Sequence, residues 1–212
     1  DGASGIGTIT YYDPQTLTFG GLGHGICAKD SSDVLKMTRG EVTGVILAGA
    51  KRGEIAKPGE LRGVLTDKIL GNVTKNTPCG VFGTLTSDAI KKDSYSSASI
   101  PIAHRDEVKE GRAYIWSTLE GSTPKRYEIE ISNIDRSAAA GKCFSVKVTD
   151  KALIDASGGI VQGMSGSPII QDGKLIGAVT HVLINDPTTG YGIFIENMLN
   201  ASASTRNELP AA

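Results

Sequence analysis

Ser165 sits in Gly163-Met164-Ser165-Gly166-Ser167-Pro168, directly before the apolar pair Ile169-Ile170. Glycines on both sides let the backbone turn tightly with no Cβ in the way. Such a turn can present a serine hydroxyl as a nucleophile. It can also aim the N–H groups of Gly163 and Ser165 at one spot, where they would hold a developing oxyanion. A serine hydroxyl is weak at neutral pH and needs a neighbouring base. The chain offers three histidines, His24, His104 and His181. His24 lies in Gly20-Gly21-Leu22-Gly23-His24-Gly25-Ile26, where glycines signal close backbone approach. His104 stands among charges, in Ala103-His104-Arg105-Asp106-Glu107, and is expected to face solvent. His181 follows Gly177-Ala178-Val179-Thr180 in a strand downstream of the serine, as a half-buried strand residue or a wall of a substrate groove. His24 is the preferred base, because it lies on the other half of the chain from Ser165.

A carboxylate must then orient the imidazole. Asp150 ends the alternating run Phe144 to Thr149, Asp155 follows shortly after, and Asp67 lies between His24 and Ser165. Each also reads as an exposed turn residue or a helix cap. The order His…Asp…Ser across two halves suits a trypsin-like site built between two β-subdomains.

The elements that must position these groups are mostly strands. Period-2 alternation runs through residues 6–12, 43–48, 80–85, 113–119, 127–132, 144–150, 174–182 and 191–195. Tyr127, Ile129 and Ile131 alternate with Glu128, Glu130 and Ser132, a strand with one wet face. Lys51 to Glu54 reads as a hairpin and Asp186 to Gly190 as a turn. Helix candidates are few and short, at 30–38, 87–92 and 196–200. Many short strands with glycine-rich turns predict an all-β fold. The expectation is a trypsin-like double β-barrel with few short helices. Residues 1–200 would form one peptidase domain of two β-subdomains, with their boundary near 92–99, and 201–212 a polar C-terminal tail.

Composition narrows the function classes. Hydrophobic residues are 39% and charged residues 21%, so disorder is not expected. A formal net charge of −1, with basic residues scattered, argues against nucleic acid as a partner. No apolar run approaches the roughly 20 residues of a membrane span. Three scattered histidines do not supply a zinc cluster, and no cofactor or metal is expected. The run before His24 lacks the Lys-Ser/Thr of a phosphate-binding loop. Position 167 is Ser, so the serine does not form the G-x-S-x-G elbow of an α/β-hydrolase. Cys27, Cys79 and Cys143 allow at most one disulfide and read better as small hydrophobes. A Cys27–His24 pair is the weaker nucleophile reading.

The segment from Gly158 to Glu196 resembles the signature of the SpoIVB peptidases, serine peptidases of the fourth stage of endospore formation. Gly5-Ile6-Gly7-Thr8, Tyr12-Asp13-Pro14 and Leu22 to Ile26 are similar to that family too. So are Pro58 to Leu61, Leu70 to Val73 with Asn76-Thr77, and Val108 to Gly111. The resemblance covers residues 5–199. It implies Ser165 as nucleophile, His24 as base and Asp150 as the acidic member. Asp67 stands second on spacing and Asp155 third, and a working Ser–His pair is an alternative. Gly163 and Ser165 would supply the oxyanion amides, and Thr180 and His181 would border the groove. The strand Gly177 to His181 is expected to pair with substrate backbone.

The resemblance also implies an N-terminal membrane-targeting segment and a PDZ domain upstream. It implies secretion from the forespore into the space between the two membranes. The protein substrates would be the chain's own N-terminal region and the extracytoplasmic part of a membrane-embedded sporulation regulator. Cutting the regulator activates a late sigma-factor pathway. The alternatives are a catalytically latent protease-like signalling or binding module that needs its PDZ domain, and an esterase or transacylase using the same serine.

Overall fold

In a computed structural model, residues 3–28, 33–37, 39–91 and 99–204 are described. The first five strands are β1 (Ile9–Tyr12), β2 (Thr18–Gly21), β3 (Gly40–Lys51), β4 (Glu60–Thr77) and β5 (Gly80–Leu85). With β7 (Glu120–Gly121) they make an open six-stranded sheet in the order β1-β2-β5-β4-β3-β7. Strands β6 (Gly111–Ser117), β8 (Lys125–Ser132), β9 (Phe144–Val148), β10 (Pro168–Gln171), β11 (Lys174–Leu183) and β12 (Asp186–Phe194) close into a barrel. Among the described residues three short α-helices complete the fold: α1 (Ser87–Lys91), α2 (Lys151–Ser157) and α3 (Ile195–Ala203). This is the expected all-β, double-barrel architecture, with the first barrel only half closed.

The core sits in the second barrel, where alternation is strict. Tyr127, Ile129 and Ile131 of β8 point inward, and Phe144, Val146 and Val148 of β9 join them. Ile115, Ile169, Ile193, Phe194 and Met198 are fully buried there. Glycine makes room for the large rings: a Cβ on Gly192 would lie 2.3 Å from the Phe144 ring. The first sheet buries less, chiefly Phe19, Leu47, Leu61, Val81, Phe82 and Leu85. Tyr114 and Trp116 share a face as the alternation predicts; it is the outer face, with Ala113 and Ile115 turned inward.

Several expectations are corrected. Asp186 to Gly190 is not a turn: β12 begins at Asp186, and its side chain ties down the residues that follow. Its carboxylate accepts the Thr188 N–H and the hydroxyls of Thr188 and Thr189, and pairs with Lys147 at 2.8 Å. The segment after Val148 is helical from Lys151, where the sequence suggested no helix. The candidate helix at 30–38 falls partly outside the described residues, and residues 33–37 are not helical. The candidate boundary near 92–99 lies outside the described residues except for its last position. Of the candidate tail, 201–203 continue α3, and 205–212 lie outside the described residues. No disulfide joins the three cysteines; Cys143 is buried, and desolvation first of all pushes its pKa up.

Candidate active site

Both glycines flanking the serine turn have left-handed backbones, Gly163 at φ 98° and Gly166 at φ 91°. At Gly166 the crowding is decisive. A Cβ there would lie 2.1 Å from the Thr8 carbonyl oxygen and 2.6 Å from the Leu22 nitrogen. The first sheet thus presses on the turn and pins it. The Thr8 N–H donates to the Ser165 carbonyl at 2.9 Å, and the buried Thr10 hydroxyl donates to the Gly166 carbonyl at 2.8 Å.

The amides of the turn divide into two classes. Gln162 N–H donates to Gly59 O, Met164 N–H to Val161 O, Gly166 N–H to Val179 O and Ser167 N–H to Met164 O. Among the described residues, the amides of Gly163 and Ser165 donate to no protein acceptor. Two alternate unpaired donors in an otherwise satisfied turn are the arrangement an oxyanion requires. The half-buried Ser165 hydroxyl donates to the Thr180 carbonyl at 2.9 Å.

His24 follows β2 in a turn where Leu22 and Gly23 have φ 65° and 69°. Gly23 is seated against the barrel, where a Cβ would meet Ile193 and Thr180 at 2.9 Å. Leu22 N–H donates to Thr8 O, so the histidine turn and the serine turn share one anchor. The ring Nδ1 of His24 lies 2.9 Å from the Gly25 carbonyl. A carbonyl only accepts, so Nδ1 carries the hydrogen in the neutral ring and Nε2 keeps its lone pair.

His181 packs on His24, with ring centroids 5.0 Å apart and planes tilted by 36°. His181 is exposed at the surface, with His24 against its ring. Desolvation, then the neighbouring His24 and Lys142, lower its pKa to about 4, against a backbone hydrogen bond with Gly141. His181 is therefore neutral at physiological pH. Thr180 beside it is buried, and its hydroxyl donates to the Gly141 carbonyl.

The carboxylates are placed elsewhere. Asp150 caps α2: its Oδ1 accepts the N–H of Ala152 at 2.9 Å and of Leu153 at 3.2 Å, and its Oδ2 accepts the Glu128 N–H at 3.1 Å. Asp155 pairs with Lys151 on the same helix, and Asp67 is exposed on β4. The histidine ion pair found among the described residues joins the exposed His104 to Glu196 at 2.9 Å, and none involves His24. The structure thus gathers Ser165, His24, Thr180 and His181, with the Gly163 and Ser165 amides, and leaves the three aspartates outside that group.

Along β11, Gly177 and Ala178 are paired on both sides, by β10 and β12. Val179 pairs with Gly192 on one side and exchanges bonds with Ser167 and Gly166 on the other. That stretch has no edge left for a substrate, which corrects the expected pairing over its whole length. Beyond it, β10 no longer covers the strand, and Thr180 and His181 stand at the edge beside the serine. Two contributors carried no sequence signal: the Gly25 carbonyl on Nδ1 and the Thr180 carbonyl on the serine. Backbone oxygens look alike at every position of a sequence.

The family model described as SpoIVB peptidase S55 matches residues 1–199. Solved structures of the Rv3671c protease from M. tuberculosis are among those that match. The active form is 15% identical at TM-score 0.43, over 69% of this chain and 65% of that one. An inactive serine-to-alanine mutant is 14% identical at TM-score 0.44, over 74% and 77%. This chain spans slightly less than two thirds of the active form's length. No curated protein matches. The chain belongs to the SpoIVB peptidase S55 family.

Proposed function

We propose that this member of the SpoIVB peptidase S55 family is a serine endopeptidase that works through Ser165 and His24. The observation that carries the reading is the pair of unpaired amides, Gly163 and Ser165, at the serine turn. In the reaction the Ser165 hydroxyl leaves the Thr180 carbonyl and turns to His24 Nε2. His24 takes its proton as the oxygen attacks a peptide carbonyl. The carbonyl oxygen becomes an oxyanion held by the two amides. The imidazolium, steadied by the Gly25 carbonyl, gives its proton to the leaving amine. Water then repeats the sequence on the acyl-enzyme. The family resemblance implies Asp150 as the acidic member; here Asp150 caps α2 and the Gly25 carbonyl takes the place of a carboxylate on His24 Nδ1, while Thr180 and His181 border the groove.

The substrates we propose are protein segments outside the cytoplasm: the chain's own N-terminal region and a membrane-anchored sporulation regulator, with an upstream PDZ domain as partner. Secretion from the forespore into the intermembrane space fits that role. The test is labelling of the purified protein with a fluorophosphonate probe. Ser165 is expected to be modified, with labelling lost in Ser165→Ala and lowered by orders of magnitude in His24→Ala. Equal labelling of folded His24→Ala would overturn the mechanism.

A second reading, a latent signalling module, draws on one observation: the serine hydroxyl rests on Thr180 rather than on histidine. A folded protein that stays unlabelled until its PDZ domain is supplied would favour it.

A further inference from the structure

The β3–β4 hairpin leaves a strand edge open, and that edge begins at the serine turn. Strand β4 pairs with β3 over residues 60–73 and with β5 only from Gly71 onward. Among the described residues no backbone group hydrogen-bonds the second edge of β4 between Arg62 and Ile69; the next bond there is Thr86 N–H to Leu70 O. Gln162 already occupies the head of this edge. Leu61 N–H donates to Gln162 O at 2.8 Å, and Gln162 N–H donates to Gly59 O at 2.9 Å. The residue after Gln162 is Gly163, whose free amide belongs to the serine turn.

Leu61 thus aims its N–H away from β3. By alternation the amides of Gly63 and Leu65 point the same way, into solvent. The side chains along the ribbon are apolar and bare: Val64 is 70% exposed, Leu65 59% and Ile69 48%, with Ile46 of β3 across from Val64 at 58%. An open, apolar edge is a hazard that proteins usually cover with charge, proline or a bulge. Gly63 to Leu65 has none of these on β4, whereas past Leu65 the β3–β4 register shifts and Asp67 and Lys68 carry charge.

We infer that this edge, from Gly63 to Leu65, takes an extended apolar segment of the protein substrate as an added strand. The inference rests on the endopeptidase reading, since the edge is continuous with the turn that would hold the scissile carbonyl. From the Leu61 amide to Leu65 the regular strand spans about 13 Å, enough to bind substrate outside the residues at the cut. Backbone pairing would supply affinity, and the bare side chains a preference for apolar sequence.

The test uses the Ser165→Ala protein, so that binding is read without cleavage. The probe is fluorescein-labelled α-lactalbumin, reduced and carboxymethylated to keep it unfolded, followed by fluorescence anisotropy. Leu65→Pro removes one outward amide and is expected to raise Kd at least ten-fold, with Leu65→Ala giving a smaller change. The exposed pair Val64→Lys/Leu65→Lys leaves the backbone intact and guards against a folding artefact; it is expected to raise Kd by a similar factor. Unchanged Kd in that pair, or no binding by the parent, overturns the inference. A dimer in sedimentation that becomes monomeric in the edge variants also overturns it, by giving the edge to a second copy. Failure of fluorophosphonate labelling in the Ser165 protein would sink the peptidase reading by a separate route.

Discussion

At the scale of residues, the site depends on which polar groups are already satisfied. His181 illustrates the point. Its pKa near 4 in the fold, against an ordinary value of 6.5, means that the unfolded chain binds the extra proton first as pH falls. Stability is then full above about 6.5 and declines as pH drops from there toward 4. NMR titration of the His181 Cε1 proton should give a midpoint below 5, and His181→Gln should flatten the melting temperature across that window. A midpoint at 6 or above would show the ring in open solvent. Asp186 does not interfere, because Lys147 first, then Thr188 and Thr189, hold its pKa well below the usual carboxylate range. Its contribution is lost only at more acid pH. The serine and histidine were legible in the sequence because glycines around them advertise tight turns. The groups that complete them were not, because Gly25 and Thr180 act through carbonyl oxygens.

At the scale of elements, Asp150 is the clearest case. Its side chain satisfies two of the donors at the start of α2 and a third from β8. Replacing it with Ala should cost about 1 kcal/mol through the lost cap, readable in chemical denaturation. Asn keeps a capping oxygen, so Asp150→Asn should stay near wild-type stability and label within a few-fold of wild type. A folded Asp150→Asn protein that labels a hundred-fold more slowly would mean that Asp150 reaches His24 in the working enzyme. Short barrel strands were legible because each has one buried face, as in Tyr127, Ile129 and Ile131. The long β4 was not. Its middle is exposed on both sides, so Val64 and Leu65 in succession break the alternation on which the reading depends. Helix α2 was hidden because Lys151-Ala152-Leu153-Ile154 is too short a run to show a helical period.

At the scale of the whole molecule, the two sheets are joined by a few long-range ties. Lys75 of β4 reaches across to α3 and donates to the carbonyls of Ala201 and Ser204. A cation at a helix C-terminus satisfies carbonyls that have no partner within the helix. Lys75→Met should lower stability by about 1–2 kcal/mol and speed hydrogen exchange in the last turn of α3. Unchanged exchange there would show that packing alone holds the helix. Such ties join residues far apart in the chain, which is why no local pattern announced them.

The anchoring of the serine turn by Thr8 and Thr10 bears on what self-cleavage would do to the enzyme over time. A peptidase that shortens its own N-terminus can remove residues ahead of Thr8 at little cost to the turn. The next cuts would strip the N–H from the Ser165 carbonyl and the hydroxyl from the Gly166 carbonyl. The enzyme would thereby extinguish its own activity. Any self-processing that ran past Thr8 would therefore end with the serine turn unanchored.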